Sequence, residues 1–159
     1  MKRRVVIGLG NPYRSDDGFG PCVMEELRQV LADQDRLDVD LVEELGEPAA
    51  LVQRWTGRSL AIVVDAVRSD AVPGAIERFD WPGPPLSAGF PAPVGGRGGS
   101  HSLGLADAIA FGVALDRMPA RLVFIGVVAA ELGAGVGLSP KVAVAVQEVV
   151  ALVRGELSA

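Results

Sequence analysis

A chain of 159 residues, 49% apolar and 22% charged, has the makeup of one folded domain, 1–159, able to bury about two-thirds of its unfolded surface. The formal net charge of −5 argues against duplex nucleic acid, which needs clustered Lys and Arg to neutralise phosphates, and the high apolar share argues against disorder. No run approaches the ~20 apolar residues of a membrane span, and a single cysteine supplies neither a disulfide framework nor a Cys-based metal cluster, so a reducing, cytoplasmic setting is expected.

Lys2-Arg3-Arg4 flanks the first strand on its solvated side. The apolar run behind it is too short for a signal peptide and runs into Gly10-Asn11-Pro12. Residues 3–10 form that strand, and Asn11-Pro12 stops it. From Gly18 to about Ala32, Val23, Leu27, Val30 and Leu31 recur at helical spacing, and Asp16 or Asp17 can cap this helix. Cys22 falls inside it and reads as a small core residue. Leu37, Val39 and Leu41 alternate with Asp38 and Asp40, the pattern of a half-exposed edge strand. Residues 47–55 form a short helix with Pro48 in its first turn.

Residues 59–67 are apolar on both faces, as a central parallel strand should be, and their one charge is Asp65 near the C-terminal end. A turn through Pro73-Gly74 leads to a fourth strand at 75–80. That connection is too short for a helical crossover, so the fourth strand should run antiparallel to the third. Residues 82–99, rich in Gly and Pro, make a long loop without regular structure, of the kind that is usually either functional or disordered, and Ser100-His101-Ser102 ends it. The helix that follows places Leu103, Ala106, Ile109, Ala110 and Val113 on one face. Residues 122–128 are another central strand. A second glycine-rich loop, 133–137, then reaches Ser139-Pro140, an N-cap and N1 pair for a last helix with Val142, Val146, Val149, Val150 and Val153 in register. Alternating strands and helices give an α/β fold, layered α/β/α around a mostly parallel sheet.

Gly8-x-Gly10 after a strand invites a dinucleotide reading. Tyr13 stands where the third glycine belongs, however, no single acidic residue follows at the expected spacing, and two carboxylates would repel a pyrophosphate. Capping requires only one of Asp16 and Asp17. In so apolar a strand an ionised Asp65 is expensive unless paired, hydrogen-bonded or bound to a metal; the plainer alternative is a carboxylate accepting from backbone N–H groups of the next loop. His101 is the only histidine, and a lone histidine is more often a satisfied core or surface residue than a ligand. Here it follows the long loop and starts a helix. Two Asp and one His form an O/O/N donor set suited to Ni, Zn or Mn. Asp17 and Asp65 follow strands one and three, which are neighbours in many doubly wound sheets.

The stretch Gly8-Leu9-Gly10-Asn11-Pro12-Tyr13-Arg14-Ser15-Asp16-Asp17-Gly18-Phe19-Gly20-Pro21 resembles the N-terminal signature of the hydrogenase maturation proteases, endopeptidases that trim the large-subunit precursor of [NiFe] hydrogenases. The likeness continues in Val64-Asp65-Ala66-Val67, in Ser100-His101-Ser102-Leu103-Gly104-Leu105-Ala106-Asp107-Ala108, and in Gly137-Leu138-Ser139-Pro140. Glu43-Glu44-Leu45-Gly46-Glu47-Pro48 departs from the Asp-Gly-Gly associated with that family. The resemblance implies a five-stranded mixed sheet with strand four antiparallel at an edge and strand five between it and strand three. Carried over by motif, it implies Asp17, Asp65 and His101 as the metal-binding and catalytic set. It further implies that nickel arrives with the precursor, that the precursor is the partner, and that the C-terminal extension is removed once nickel is in place; the chain is expected to act as a monomer. No Ser-His-Asp triad follows, because the one histidine belongs to the metal set. Two other readings use the same residues: a noncatalytic nickel-binding chaperone or checkpoint protein for hydrogenase assembly, and a metallohydrolase with its own resident metal. The Gly- and Pro-rich loop before His101 is the expected moving part, closing over the precursor.

Overall fold

Val5, Val6 and Ile7 are wholly buried, so the first strand, β1 (Arg4–Leu9), is covered on both faces. The computed structural model describes residues 1–83 and 104–159. After β1 come a 3-10 turn (Ser15–Gly18), α1 (Phe19–Val30), α2 (Asp33–Arg36), β2 (Val39–Glu44), α3 (Pro48–Trp55), β3 (Leu60–Val67), β4 (Ile76–Trp81), α4 (Gly104–Ala114), β5 (Leu122–Val128) and α5 (Pro140–Ser158). The strands form one sheet in the order β2-β1-β3-β5-β4. Neighbours are parallel except β4, which runs antiparallel to β5. This is the five-stranded mixed α/β fold that the motifs imply.

Side chains alternate across a strand, so the sheet has two apolar faces. Val6, Ile62, Val64 and Ile125 meet Val23 and Leu27 of α1 and Val146 and Val150 of α5. Val5, Ile7, Val63 and Phe124 meet Leu51 and Trp55 of α3 and Ala108 and Ile109 of α4. Each such aliphatic side chain contributes about 1.5–3 kcal/mol when fully buried. The Trp55 indole N–H donates to the Arg117 carbonyl oxygen at 3.0 Å, so its polar edge is satisfied inside the core.

The reversal after β3 occurs as the short connection requires. β4 nevertheless pairs with β5 rather than β3, because β5 fills the place beside β3 in parallel register from Ala61↔Leu122 to Val67↔Val128. The ladder to β4 opens with the Gly74 N–H on the Val128 carbonyl oxygen and the Val128 N–H on the Ala75 carbonyl oxygen, each at 2.8 Å.

Three local expectations are corrected. On α1 the buried stripe is Phe19, Val23, Met24 and Leu27; Cys22 lies off it and is exposed, as is Val30. On α4 the buried residues are Leu105, Ala108 and Ile109, whereas Ala106, Ala110 and Val113 face outward. The edge strand begins at Val39, two residues later than its pattern suggests, leaving Leu37 exposed. The loop expectation for 84–99, the Ser100-His101-Ser102 motif and Leu103 lie outside the described residues.

Candidate active site

Four strands run in one direction, so the loops leaving β1, β2, β3 and β5 meet at one rim of the sheet. In open α/β sheets such a rim is where ligands bind. β1 and β3 are adjacent, with Gly8 opposite Val64, so the chain leaving β1 passes the end of β3 that carries Asp65. The 3-10 turn bearing Asp16 and Asp17 packs against β3.

The route of that chain is set by glycines. A Cβ at Gly8 would stand 2.4 Å from the Met24 Cγ, and one at Gly20 would stand 2.2 Å from the Leu9 carbonyl oxygen. The start of α1 therefore lies directly on β1. Gly10 has φ +134°, and a Cβ there would be 1.8 Å from the Asp17 carbonyl oxygen. Beyond it the Asn11 carboxamide oxygen accepts from the Tyr13 N–H at 2.9 Å, and the Arg14 N–H donates to the Asn11 carbonyl oxygen at 3.1 Å. The Asn11 N–H donates to Oδ2 of Asp17 at 2.9 Å, while the Asp17 N–H donates to the Arg14 carbonyl oxygen at 3.1 Å. Asp17 is buried, so its carboxylate is oriented by its own loop rather than by solvent.

Asp16 does different work. Its carboxylate is wholly buried and accepts from the Ala130 and Glu131 N–H groups, each at 2.8 Å, and from the Ser139 N–H at 2.7 Å and hydroxyl at 2.9 Å. Burial alone would raise its pKa; the bonds from Ser139, Glu131 and Ala130 outweigh that and hold it below the ordinary carboxylate value. Neither carboxylate caps α1, whose N-cap is Gly18 with no side-chain bond. Asp16 instead serves the start of α5, where Ser139 is the N-cap. The sequence leaves open which of Asp16 and Asp17 caps the helix and offers Asp16 no other role; the signal that could have found it is the Ser139-Pro140 pair at the far end of the chain.

Asp65 is buried within β3, and its Oδ1 accepts from the adjacent Ala66 N–H at 2.8 Å, part of the plainer backbone-bonded role. It falls in step with Ala61, Val63 and Val67, the side of the sheet covered by α3 and α4. Asp17 and Asp65 are thus brought to one rim, by the turn after β1 and by the end of β3. His101, the third expected member, lies outside the described residues. Among the described residues, no group of three His, Cys, Asp or Glu side chains could hold a metal ion.

A hollow of about 250 Å³ opens at the same rim, lined by Gly10, Pro12, Pro21, Glu43, Glu44 and Leu45. Its carboxylates are already engaged, Glu43 with Arg28 and Glu44 with Arg54, each at 2.5 Å. A larger hollow, about 340 Å³, sits at the opposite end of the sheet among Arg3, Arg4, Asp38, Arg121 and Glu156, away from Asp17 and Asp65. Cys22 lies on the outer side of α1, where partial desolvation and the nearby Glu26 and Glu25 push its thiol pKa up, the opposite of what activates a thiol nucleophile. No helix among the described residues is long and apolar enough to cross a membrane.

A family model described as hydrogenase maturation protease matches residues 21–156, a span that begins after Asp17 and includes Asp65 and His101. Among solved structures, the hydrogenase maturating endopeptidase HybD from E. coli has a TM-score of 0.77 at 24% identity, over 98% of this chain and 92% of that one, a likeness of fold. The [NiFe] hydrogenase maturation protease HybD from Thermococcus kodakarensis has a TM-score of 0.73 at 26% identity, over 98% of this chain and 99% of that one. The coenzyme F420 hydrogenase subunit delta of Methanothermobacter thermautotrophicus is 32% identical over 82 residues, 48% of this chain and 50% of that protein. The chain therefore spans about half the length of that curated relative.

Proposed function

Because this chain belongs to the hydrogenase maturation protease family, we propose that it is an endopeptidase that removes the C-terminal extension of a [NiFe] hydrogenase large-subunit precursor after nickel has been inserted. The observation that carries this reading is the arrival of two buried carboxylates, Asp17 and Asp65, at the C-terminal rim of adjacent parallel strands. His101 precedes Gly104, the first residue of α4, by three positions. That helix packs its Leu105, Ala108 and Ile109 on the sheet face in step with Asp65. Asp17, Asp65 and His101 would then offer two oxygens and a nitrogen, donors that suit nickel.

In this reading nickel is cargo of the substrate, and no resident metal is required. Nickel in the precursor supplies Lewis acidity toward a carbonyl or a water, while the chain's own residues recognise the loaded site and hold the scissile bond beside it. Hydrolysis adds the water oxygen to the carbonyl carbon, breaks the C–N bond, and leaves a proton on the departing amine. A precursor without nickel lacks the coordinate tether, so trimming waits for loading. The protein acts as a monomer in the cytoplasm, the reducing setting that suits its single cysteine.

The test uses the full chain with nickel-loaded and nickel-free precursor, followed by mass. Loss of the C-terminal extension only from the loaded form is expected, and Asp17→Ala, Asp65→Ala and His101→Ala should each lower the rate by about a hundredfold or more. A stable complex without cleavage would instead make the protein a noncatalytic checkpoint. Normal trimming by a folded His101→Ala protein would remove the metal-recognition assignment.

A further inference from the structure

The two adjacent carboxylates of the first motif face different partners. Asp17 is held within its own loop by the Asn11 N–H at 2.9 Å. Asp16 reaches across to the loop between β5 and α5, where Ala130, Glu131 and Ser139 give its carboxylate four hydrogen bonds. The same loop also takes the Asp16 N–H on the Glu131 carbonyl oxygen at 3.0 Å, the Ser15 N–H on the Gly135 carbonyl oxygen at 3.0 Å, and the Ser15 hydroxyl on the Gly133 carbonyl oxygen at 2.8 Å.

Local bonds from Tyr13, Arg14 and Asp17 set the path of this turn, and the bonds at Ser15 and Asp16 are what tie it to the rest of the fold. Glycines stand near both ends of the segment, at Gly10 and Gly18. A four-residue 3-10 turn has weak internal bonds. Ser15 sits in the left-handed region at φ +54°, a conformation that is unfavourable for a residue with a Cβ. The β5–α5 loop holds this strained residue and its neighbour from outside, in addition to the bonds within the turn.

We propose that Asp16 is a positioning residue: by fastening the backbone immediately before Asp17 to the β5–α5 loop, it fixes the direction in which Asp17 presents its carboxylate at the rim. The catalytic consequence rests on the reading above, in which Asp17 meets the nickel-loaded precursor; the geometric one does not.

The test is Asp16→Asn in the full chain, which preserves size but turns an amide N–H2 toward backbone N–H donors. The first readout is amide hydrogen exchange by NMR at Asn11, whose N–H bonds Asp17 and not Asp16. Exchange there should speed up by about tenfold, since loss of orientation at Asp17 frees that N–H. A purely structural clamp would change exchange only at Ala130, Glu131 and Ser139. The second readout is cleavage of nickel-loaded precursor, where kcat should fall by about tenfold to a hundredfold with KM within about threefold. Ser139→Ala, which removes only the hydroxyl donor, should move both readouts in the same direction by less, and it decides the matter if Asp16→Asn does not fold. An unchanged Asn11 rate, or an unchanged kcat in the folded variant, overturns the proposal. If the wild-type chain does not cleave the precursor at all, the protease reading fails and the Asn11 exchange alone decides the positioning role.

Discussion

Gly10 and Gly137 both hold positive φ, +134° and +101°, but only Gly10 is crowded. A Cβ at Gly10 would penetrate the Asp17 carbonyl oxygen, whereas one at Gly137 would meet nothing within 4 Å. Gly137→Ala should therefore cost only the dihedral strain, about 1 kcal/mol, and Gly10→Ala that strain plus overpacking, about 3 kcal/mol or more. Urea unfolding of the two variants measures the difference, and equal losses would mean the turn relaxes away from Asp17. Gly10→Ala should also reduce cleavage in whatever fraction still folds, because the displaced atom belongs to Asp17. At this scale the sequence was partly legible. Asp65 stood out because an ion in an apolar strand demands a reason. The separate duties of Asp16 and Asp17 were hidden, because the donors that distinguish them come from residues 130–139, more than a hundred positions away.

Elements were readable where one face is polar and ambiguous where it is not. The last helix buries Val142, Val146, Val149, Val150 and Val153, the valines its periodicity singles out, with Gln147 and Glu148 on the outer side and Val144 the one valine between Val142 and Val153 left exposed. On α4 apolar residues run nearly all round, with Phe111 and Val113 exposed beside buried Leu105, Ala108 and Ile109. Periodicity cannot choose among such stripes. Contact chooses: a Cβ at Gly112 would lie 2.6 Å from the Met118 sulfur and 3.4 Å from the Trp55 indole nitrogen, so this glycine marks the side where α4 and α3 approach closely. Ile109→Ala should cost about 2–4 kcal/mol and Val113→Ala less than about 0.5 kcal/mol. Thermal melting of both variants checks the assignment, and a loss at Val113→Ala as large as at Ile109→Ala would restore the face on which Ala106, Ile109, Ala110 and Val113 lie together.

Across the whole molecule the sheet separates two kinds of charge. The C-terminal rim gathers Asp16, Asp17 and Asp65, and the opposite end carries an ion-pair network joining three elements. There Glu156 of α5 meets Arg78 of β4 at 2.6 Å and Arg121, just before β5, at 2.8 Å, while Asp80 meets Arg78 at 2.9 Å. That β5 lies between β3 and β4 was not legible from the strands' own residues, which required only that β4 reverse; it followed from family resemblance, and this network shows one consequence of the order. Burial alone would raise the Glu156 pKa, but Arg78 and Arg121 outweigh it and hold the carboxyl below the ordinary glutamate value. A group with a lowered folded-state pKa adds stability above its unfolded value, about 4.3, and that contribution disappears as pH falls through the folded value. Glu156→Gln should thus lower stability by roughly 1 kcal/mol at neutral pH, a modest figure for a partly solvated network. The gap between wild type and variant should narrow as pH drops from about 5 toward about 3. Asp16, also lowered, contributes acid sensitivity to both proteins alike, so subtracting the two urea-unfolding curves isolates Glu156. A gap that stays constant throughout the acid range would show that the arginines leave its proton affinity unchanged, and would reduce the network to packing of the arginine side chains against α5.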